Sequence, residues 1–324
     1  MNAQRALLPG NRRHFSHGPI DLVIGAEGDE RVVADAHEAA WQRFKGVLQE
    51  LVAELPQLRQ PVHGRCTLRG PIARRMWQAC HPYCVDYITP MAAVAGAVAQ
   101  EIILAYQRAG VSRAWVNNGG DIALYLAPGA SVRVGLFADL ARVEDVLRRG
   151  TPRLDGDFIV SSELPVRGIA TSGWRGRSFS LGIADSVTVL AASGAQADAA
   201  ATVIANAVTV IDPRIVRRRA CDLRDDTDLA DLQVTVDVPA LDGTVVQTAL
   251  VAGLARARVL RAEGLIWHAV LVCQKQSCST GLGVLHELPF GDGADTASSH
   301  SGVAWHLLSN QQSSRDTVAR TTTR

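Results

Sequence analysis

Asp198 and Thr202 stand four residues apart in the run AQADAAATVIANAV, whose small apolar composition predicts a helix from about Ala195 to Val208. At i and i+4 their oxygens lie one above the other on a single helix face. A carboxylate and a hydroxyl so placed are hard ligands of the kind Mg²⁺ takes, with water and a ligand's phosphate completing the octahedron. A structural reading stands beside it: Asp198 favours the positive end of the helix dipole, and Thr202 bonds back to a carbonyl of its own helix. Upstream, Thr171-Ser172-Gly173 makes a turn that opens a hairpin, and Asn118-Gly119-Gly120-Asp121 makes a tight turn with positive φ angles between two β-like runs. Arg175 and Arg177 follow the first of these turns and can reach a phosphate bidentately, or else face solvent on the hairpin. Trp174 can stack on a flat ring or cover a hydrophobic edge.

Two further groups could bind metal or anions. His63, Cys66, Cys80 and Cys84, with His81 as an alternative, supply ligand pairs at spacings that zinc sites use; the other reading makes these cysteines small hydrophobes. Cys273 and Cys278 could oxidise or bind metal, or serve as ordinary core and loop residues. Arg217, Arg218 and Arg219 are flanked by Asp222, Asp225, Asp226, Asp228 and Asp231, which predicts a self-neutralised, solvated loop.

The rest of the composition narrows the function classes. Across 324 residues, 33 basic groups face 32 acidic ones, a net charge of +1, so no global field draws in nucleic acid or an anionic membrane. Lys45 and Lys275 are the only lysines, and the arginine excess reads as compositional bias rather than a phosphate-binding surface. Six cysteines in a chain of this length do not make a disulfide scaffold. The N-terminus lacks the apolar stretch of a secretory signal, and no run reaches the roughly 18 apolar residues of a membrane span. The expectation is a cytoplasmic protein with neither nucleic acid nor membrane as partner.

The elements that must hold these residues follow from periodicity. A strand is expected at Pro19 to Ala26, then a helix from about Ala34 to Leu55 with Ala36, Ala40, Phe44, Leu48 and Leu51 on one stripe, and a short helix near Ala73 to Gln78. Thr89-Pro90 reads as an N-cap and first helical residue, beginning a helix that Gly110 stops. Strands are expected at Arg113 to Val116 and Ile122 to Leu126, followed by VRVGLF, DFIVSS, RGIATSG, RSFSLGIA and SVTVLA. After the helix bearing Asp198 come a strand at LQVTVDV, a helix from about Val246 to Glu263 and a strand at LIWHAVLVC. So many short strands beside helices predict an α+β fold of mixed or antiparallel sheets flanked by helices. Residues 1–18 are expected to be flexible, residues 19–289 to form the domain, and residues 290–324, rich in Ser, Thr, Gly and Asp, to be disordered.

In order and register, Asn118-Gly119-Gly120-Asp121, Thr171-Ser172-Gly173, the SVTV strand from Ser186 and Ala197-Asp198-Ala199-Ala200-Ala201-Thr202 resemble ApbE-type proteins, the magnesium-dependent FAD:protein FMN transferases. The resemblance runs from about Thr89 to Val270, and the wording TPMAAVAGAVA and RGRSFSLGIADSVTVLA looks like an uncharacterised cytosolic branch. It implies that Asp198 and Thr202 bind Mg²⁺, with a backbone carbonyl near Ala92 as a further ligand. It also implies that Asn118, Gly119, Gly120, Asp121, Thr171, Ser172, Gly173 and Arg177 shape a flavin-nucleotide pocket beside the helix containing Gly96. Such transferases split FAD at its pyrophosphate and join FMN to a hydroxyl of an acceptor protein. This chain departs from the pattern in two places. Ala95 stands before Gly96 where the family has an ionisable residue, and Ser180 to Asp185 replace a His-containing loop. Asp185 is then a substitute acid, base or metal ligand, or a turn residue. Two functions follow: Mg²⁺-dependent action on FAD, by FMN transfer or pyrophosphate cleavage with Asp198 and Asp185 as catalytic groups, or non-catalytic binding of a flavin or other small ligand.

Overall fold

The computed structural model describes residues 2–136 and 156–281. Their framework is a nine-stranded sheet in the order β1-β2-β3-β4-β5-β8-β9-β12-β13, antiparallel at every pairing. The strands are β1 (Gln4–Leu8), β2 (Arg12–His17), β3 (Ile20–Gly28), β4 (Val111–Asn118), β5 (Asp121–Leu126), β8 (Gly168–Ser172), β9 (Ser186–Ala191), β12 (His268–Cys273) and β13 (Gln276–Ser279). Two separate two-stranded antiparallel sheets complete the described strands, β6 (Ser131–Leu136) with β7 (Gly156–Ser161) and β10 (Val216–Arg219) with β11 (Gln233–Asp237). The α+β expectation holds.

Side-chain alternation assigns the two faces of the sheet. Ala123, Ala170, Val187 and Val189 belong to the large core on the helical side. Ile122, Leu124, Ile169, Leu190 and Val270 belong to a second cluster with Val132, Val134, Phe158 and Val160, so the β6–β7 pair covers the other side. The longer helices among the described residues are α1 (Glu30–Ala53), α2 (Pro71–Cys80), α3 (Val94–Ile103), α4 (Gly194–Ala207) and α5 (Gly243–Ala262). Helix α1 buries the expected stripe, Ala36, Ala40, Phe44 and Leu51 among it, but begins four residues earlier than periodicity suggests because Asp29 caps it, accepting from the Val32 amide at 3.0 Å. Helix α4 is small-sided all round because it is central. A Cβ on Gly96 of α3 would run into the Gly194 backbone, and one on Gly168 of β8 into that of Ser193. The alanines and glycines of α4 are what allow two neighbours this close.

Several expectations are corrected. Residues 4–17, expected to precede the domain, form β1 and β2 of its sheet, with Phe15 buried against Trp41 and Phe44 of α1 at ring separations of 5.1 and 5.4 Å. The segment from Thr89 starts with a 3₁₀ turn at Pro90–Ala93 before α3, and the Thr89 hydroxyl donates to Asp228 rather than capping the helix. RSFSLGIA is no strand; it crosses the C-terminal end of α4, where the Leu181 amide donates to Asn206 and the Ile183 amide to the Val208 carbonyl. The arginine-rich loop contains β10, although Arg219 does pair with Asp222 as its charges suggest. The predicted tail, residues 290–324, lies outside the described residues. Among the described residues no helix is long and apolar enough to cross a membrane.

Candidate functional site

Helix α3 begins without a capping side chain of its own: its N-cap residue is Ala93. The first amides of a helix need acceptors, and here a neighbouring helix supplies one. The carboxylate of Asp198, in the second turn of α4, accepts from the Gly96 amide at 2.9 Å and from the Ala95 amide. Gly96 permits this because a side chain there would meet both Gly194 and the Asp198 Cβ. Asn118, at the end of β4, donates from Nδ2 to the Ala95 carbonyl at 3.1 Å. The sheet and α4 thus converge on the first turn of α3.

Asp121 approaches from the sheet. The turn that delivers it has Gly119 at φ +64° and Gly120 at φ +120°, the left-handed backbone that two consecutive glycines permit. Asn117 closes it by accepting from the Gly120 amide at 2.8 Å. Asp121 Oδ1 accepts from the Thr171 amide at 3.1 Å, where the β5–β8 ladder ends. Arg177 lies directly over Gly119, in the space a Cβ would fill, and its charge acts on Asp121.

The two carboxylates sense each other. Burial pushes the Asp198 carboxyl well above the usual range and the negative charge of Asp121 pushes it further, against the amides of Gly96 and Ala95. Burial also pushes Asp121 up, to about 7, against the Thr171 amide and Arg177. Two half-buried carboxylates, one of them raised by the charge of the other, favour a proton or a cation at the pair. Among the described residues no group of three or more His, Cys, Asp and Glu is arranged to hold a metal ion. A divalent ion here would take its remaining ligands from hydroxyl, carbonyl, water or phosphate oxygens, which suits Mg²⁺. Thr202 is half-buried one turn beyond Asp198 on the same helix face, and Ala92 sits in the 3₁₀ turn leading into α3. Ser172 shares the helical side of the sheet with Asp121.

Other expected residues fall elsewhere. Thr171 gives the site its amide, while its hydroxyl is 3.0 Å from that of Thr188, on the face of the sheet away from the helices. Gly173 is pressed against the carbonyls of Ala184 and Asp185, where no side chain fits. Asp185 itself accepts from the Gln274 amide at 2.6 Å, at the turn joining β12 to β13, three strands along the sheet from β5 and Asp121. Trp174 is half-buried against the core with Arg175 stacked 4.7 Å above its ring. The zinc constellation is not assembled: His63 is exposed, and Cys80 is fully buried with its thiol pushed up by desolvation and by Asp198 and Asp228. Cys273 is a buried core residue, its thiol pushed by burial to about 12. Sequence reasoning missed the Asp121–Asp198 coupling and the closeness of Cys80 and Asp228. The latch of Tyr87 and Thr89 onto Asp228 was missed as well. All of these join residues far apart in the chain and leave no local pattern.

Comparison with known proteins bears on the same region. The family profile described as "AbpE bacteria" matches residues 5–281. The UPF0280 protein of Methanospirillum hungatei is 40% identical over 215 residues, spanning 64% of this chain and 79% of that protein. Its counterpart in Methanothrix thermoacetophila is 38% identical over 139 residues, 43% of this chain and 53% of that protein. The Methanopyrus kandleri UPF0280 protein is 34% identical over 212 residues, 64% and 78% respectively.

Proposed function

The chain belongs to the ApbE-like bacterial family, and from that premise we propose that it is a flavin-nucleotide protein that takes up Mg²⁺ and acts on the pyrophosphate of FAD. The observation that carries the reading is the half-buried pair Asp121 and Asp198 at the first turn of α3, each carboxyl held above its usual range. Asp198, Thr202 and the Ala92 carbonyl would hold the ion, with Asp121 balancing its charge. When bound, Mg²⁺ neutralises pyrophosphate oxygens as charge moves to the leaving phosphate. Arg177, exposed above Gly119, is placed to take a phosphate oxygen bidentately. Cleavage releases AMP, and the FMN phosphorus passes to a hydroxyl of water or of an acceptor protein. Asp185 is assigned to the β12–β13 turn rather than to this chemistry.

A second reading is favoured by the bonding of Asp198. Its carboxylate already caps α3, and Ala95 brings no ionisable group to the helix start. On this reading the protein binds FAD or a related ligand without cutting it. The two readings separate when FAD is incubated with purified protein in Mg²⁺ or in EDTA, with AMP and FMN followed by chromatography and bound flavin by its visible spectrum. Mg²⁺-dependent AMP release that Asp198→Asn abolishes supports the first. Flavin bound but intact supports the second, and neither binding nor cleavage removes flavin from the account.

A further inference from the structure

A cavity of about 430 Å³ opens between the β1–β2 hairpin and α1, sharing no residue with the carboxylate site. We propose that this cavity is a second small-molecule site, which takes an organic carboxylate with an apolar body. Its volume lies within the roughly 300–1,000 Å³ of small-ligand pockets. The strand register puts Arg5 opposite Phe15 and Leu7 opposite Arg13, so all four face the helix together. Leu7 and Phe15 give the cavity apolar walls, while Arg5 and Arg13 bring two positive charges against the single negative charge of Glu38. Glu38 is already engaged by Arg5 at 2.6 Å, leaving one positive charge in excess.

His37 supplies the second, independent observation. It borders the cavity at 4% exposure, and its Nδ1 lies 2.7 Å from the Tyr106 hydroxyl, but its Nε2 is buried without a hydrogen-bond partner. Buried polar atoms are rarely left so. Desolvation, with Arg13 adding to it, lowers His37 to about 4, so the ring is neutral under ordinary conditions. Tyr106 keeps its proton because burial pushes its phenol up. A phenol donating to Nδ1 leaves the imidazole proton on Nε2. An unbalanced arginine beside apolar walls is what a carboxylate with an apolar body needs.

The test is ¹⁵N-detected NMR of the purified full chain, titrated separately with butyrate, hexanoate, octanoate and benzoate. The expected result is a saturable shift of the His37 Nε2 and Arg13 Nε resonances with at least one of them, equal in Mg²⁺ and in EDTA. Arg13→Gln should weaken that binding at least tenfold. Glu38→Gln, at a half-exposed position, should tighten it several-fold by releasing Arg5. The proposal is overturned if none of the four gives a saturable shift, if EDTA abolishes the binding, if folded Arg13→Gln binds equally well, or if Glu38→Gln leaves the affinity unchanged.

Discussion

Asp121 and Asp198 make opposite demands on the fold, since backbone amides favour the charged form of each while burial disfavours it, and at Asp198 the charge of Asp121 adds to that cost. The sign of the pH dependence follows. With its folded pKa raised to about 7 from an ordinary 3.8, Asp121 holds a proton in the native state that the unfolded chain has lost. Its stabilising contribution is complete below pH about 4 and is lost as pH rises through about 7. In metal-free protein, Asp121→Asn should therefore flatten the fall in Tm between pH 5 and pH 8. Mg²⁺, which competes with protons for the same oxygens, should raise Tm more at pH 8 than at pH 5; an equal shift at both would count against metal at this pair. Asp198→Ala removes the acceptor of two helical amides, and urea unfolding should show a loss of about 1–2 kcal/mol. Gly119→Ala tests a different contact. Its Cβ would displace only the flexible end of Arg177, so unfolding measurements should show a modest loss, roughly the 1 kcal/mol of a left-handed non-glycine residue. FAD affinity should fall much further if Arg177 holds phosphate.

At the scale of elements, α3 and α4 meet through two glycines, and the packing tolerates no methyl. Gly96→Ala sets a Cβ against the Gly194 backbone, which cannot swing aside, so unfolding measurements should show a loss of about 1–3 kcal/mol or more. The outer face of α3 is held by charge: Glu101 accepts from Arg43 of α1 and Arg75 of α2 at 2.7 and 2.8 Å. Burial opposes its ionisation, yet these two bonds hold the carboxyl below its usual range, so this contribution is lost as pH falls through the lowered value. These elements were unequally legible in sequence. Helices α1 and α4 and the strands β4, β5 and β9 carry periodic or turn-bounded patterns that survive in the structure. RRHFSH did not read as a strand because only Phe15 and His17 are buried, and the charged residues between them mask the alternation. RSFSLGIA has the residue types of a strand but is spent on backbone contacts to the end of α4. Of the site, the Asp198/Thr202 face and the Gly119-Gly120 turn were legible because each is local. The capping of α3 by Asp198 was not, because it belongs to two helices and to neither sequence.

For the molecule as a whole, spatial order in the large sheet follows chain order, interrupted only by the two small sheets. The N-terminal hairpin is therefore the outer end of a continuous ladder and covers part of α1. Deleting residues 2–17 should uncover the β3 edge and the Trp41–Phe44 surface. Size-exclusion chromatography of the shortened chain should show self-association, which unpaired strand edges invite; a monodisperse, equally stable product would mean the hairpin is dispensable. The borrowed cap has a consequence for synthesis. A chain growing from its N-terminus lays down β1 to β5 in neighbouring order, yet α3 must wait for α4 before its first amides find their acceptor. Until residue 198 leaves the ribosome, the start of α3 is free to fray into water, and its helical register becomes fixed only when the later half of the protein arrives.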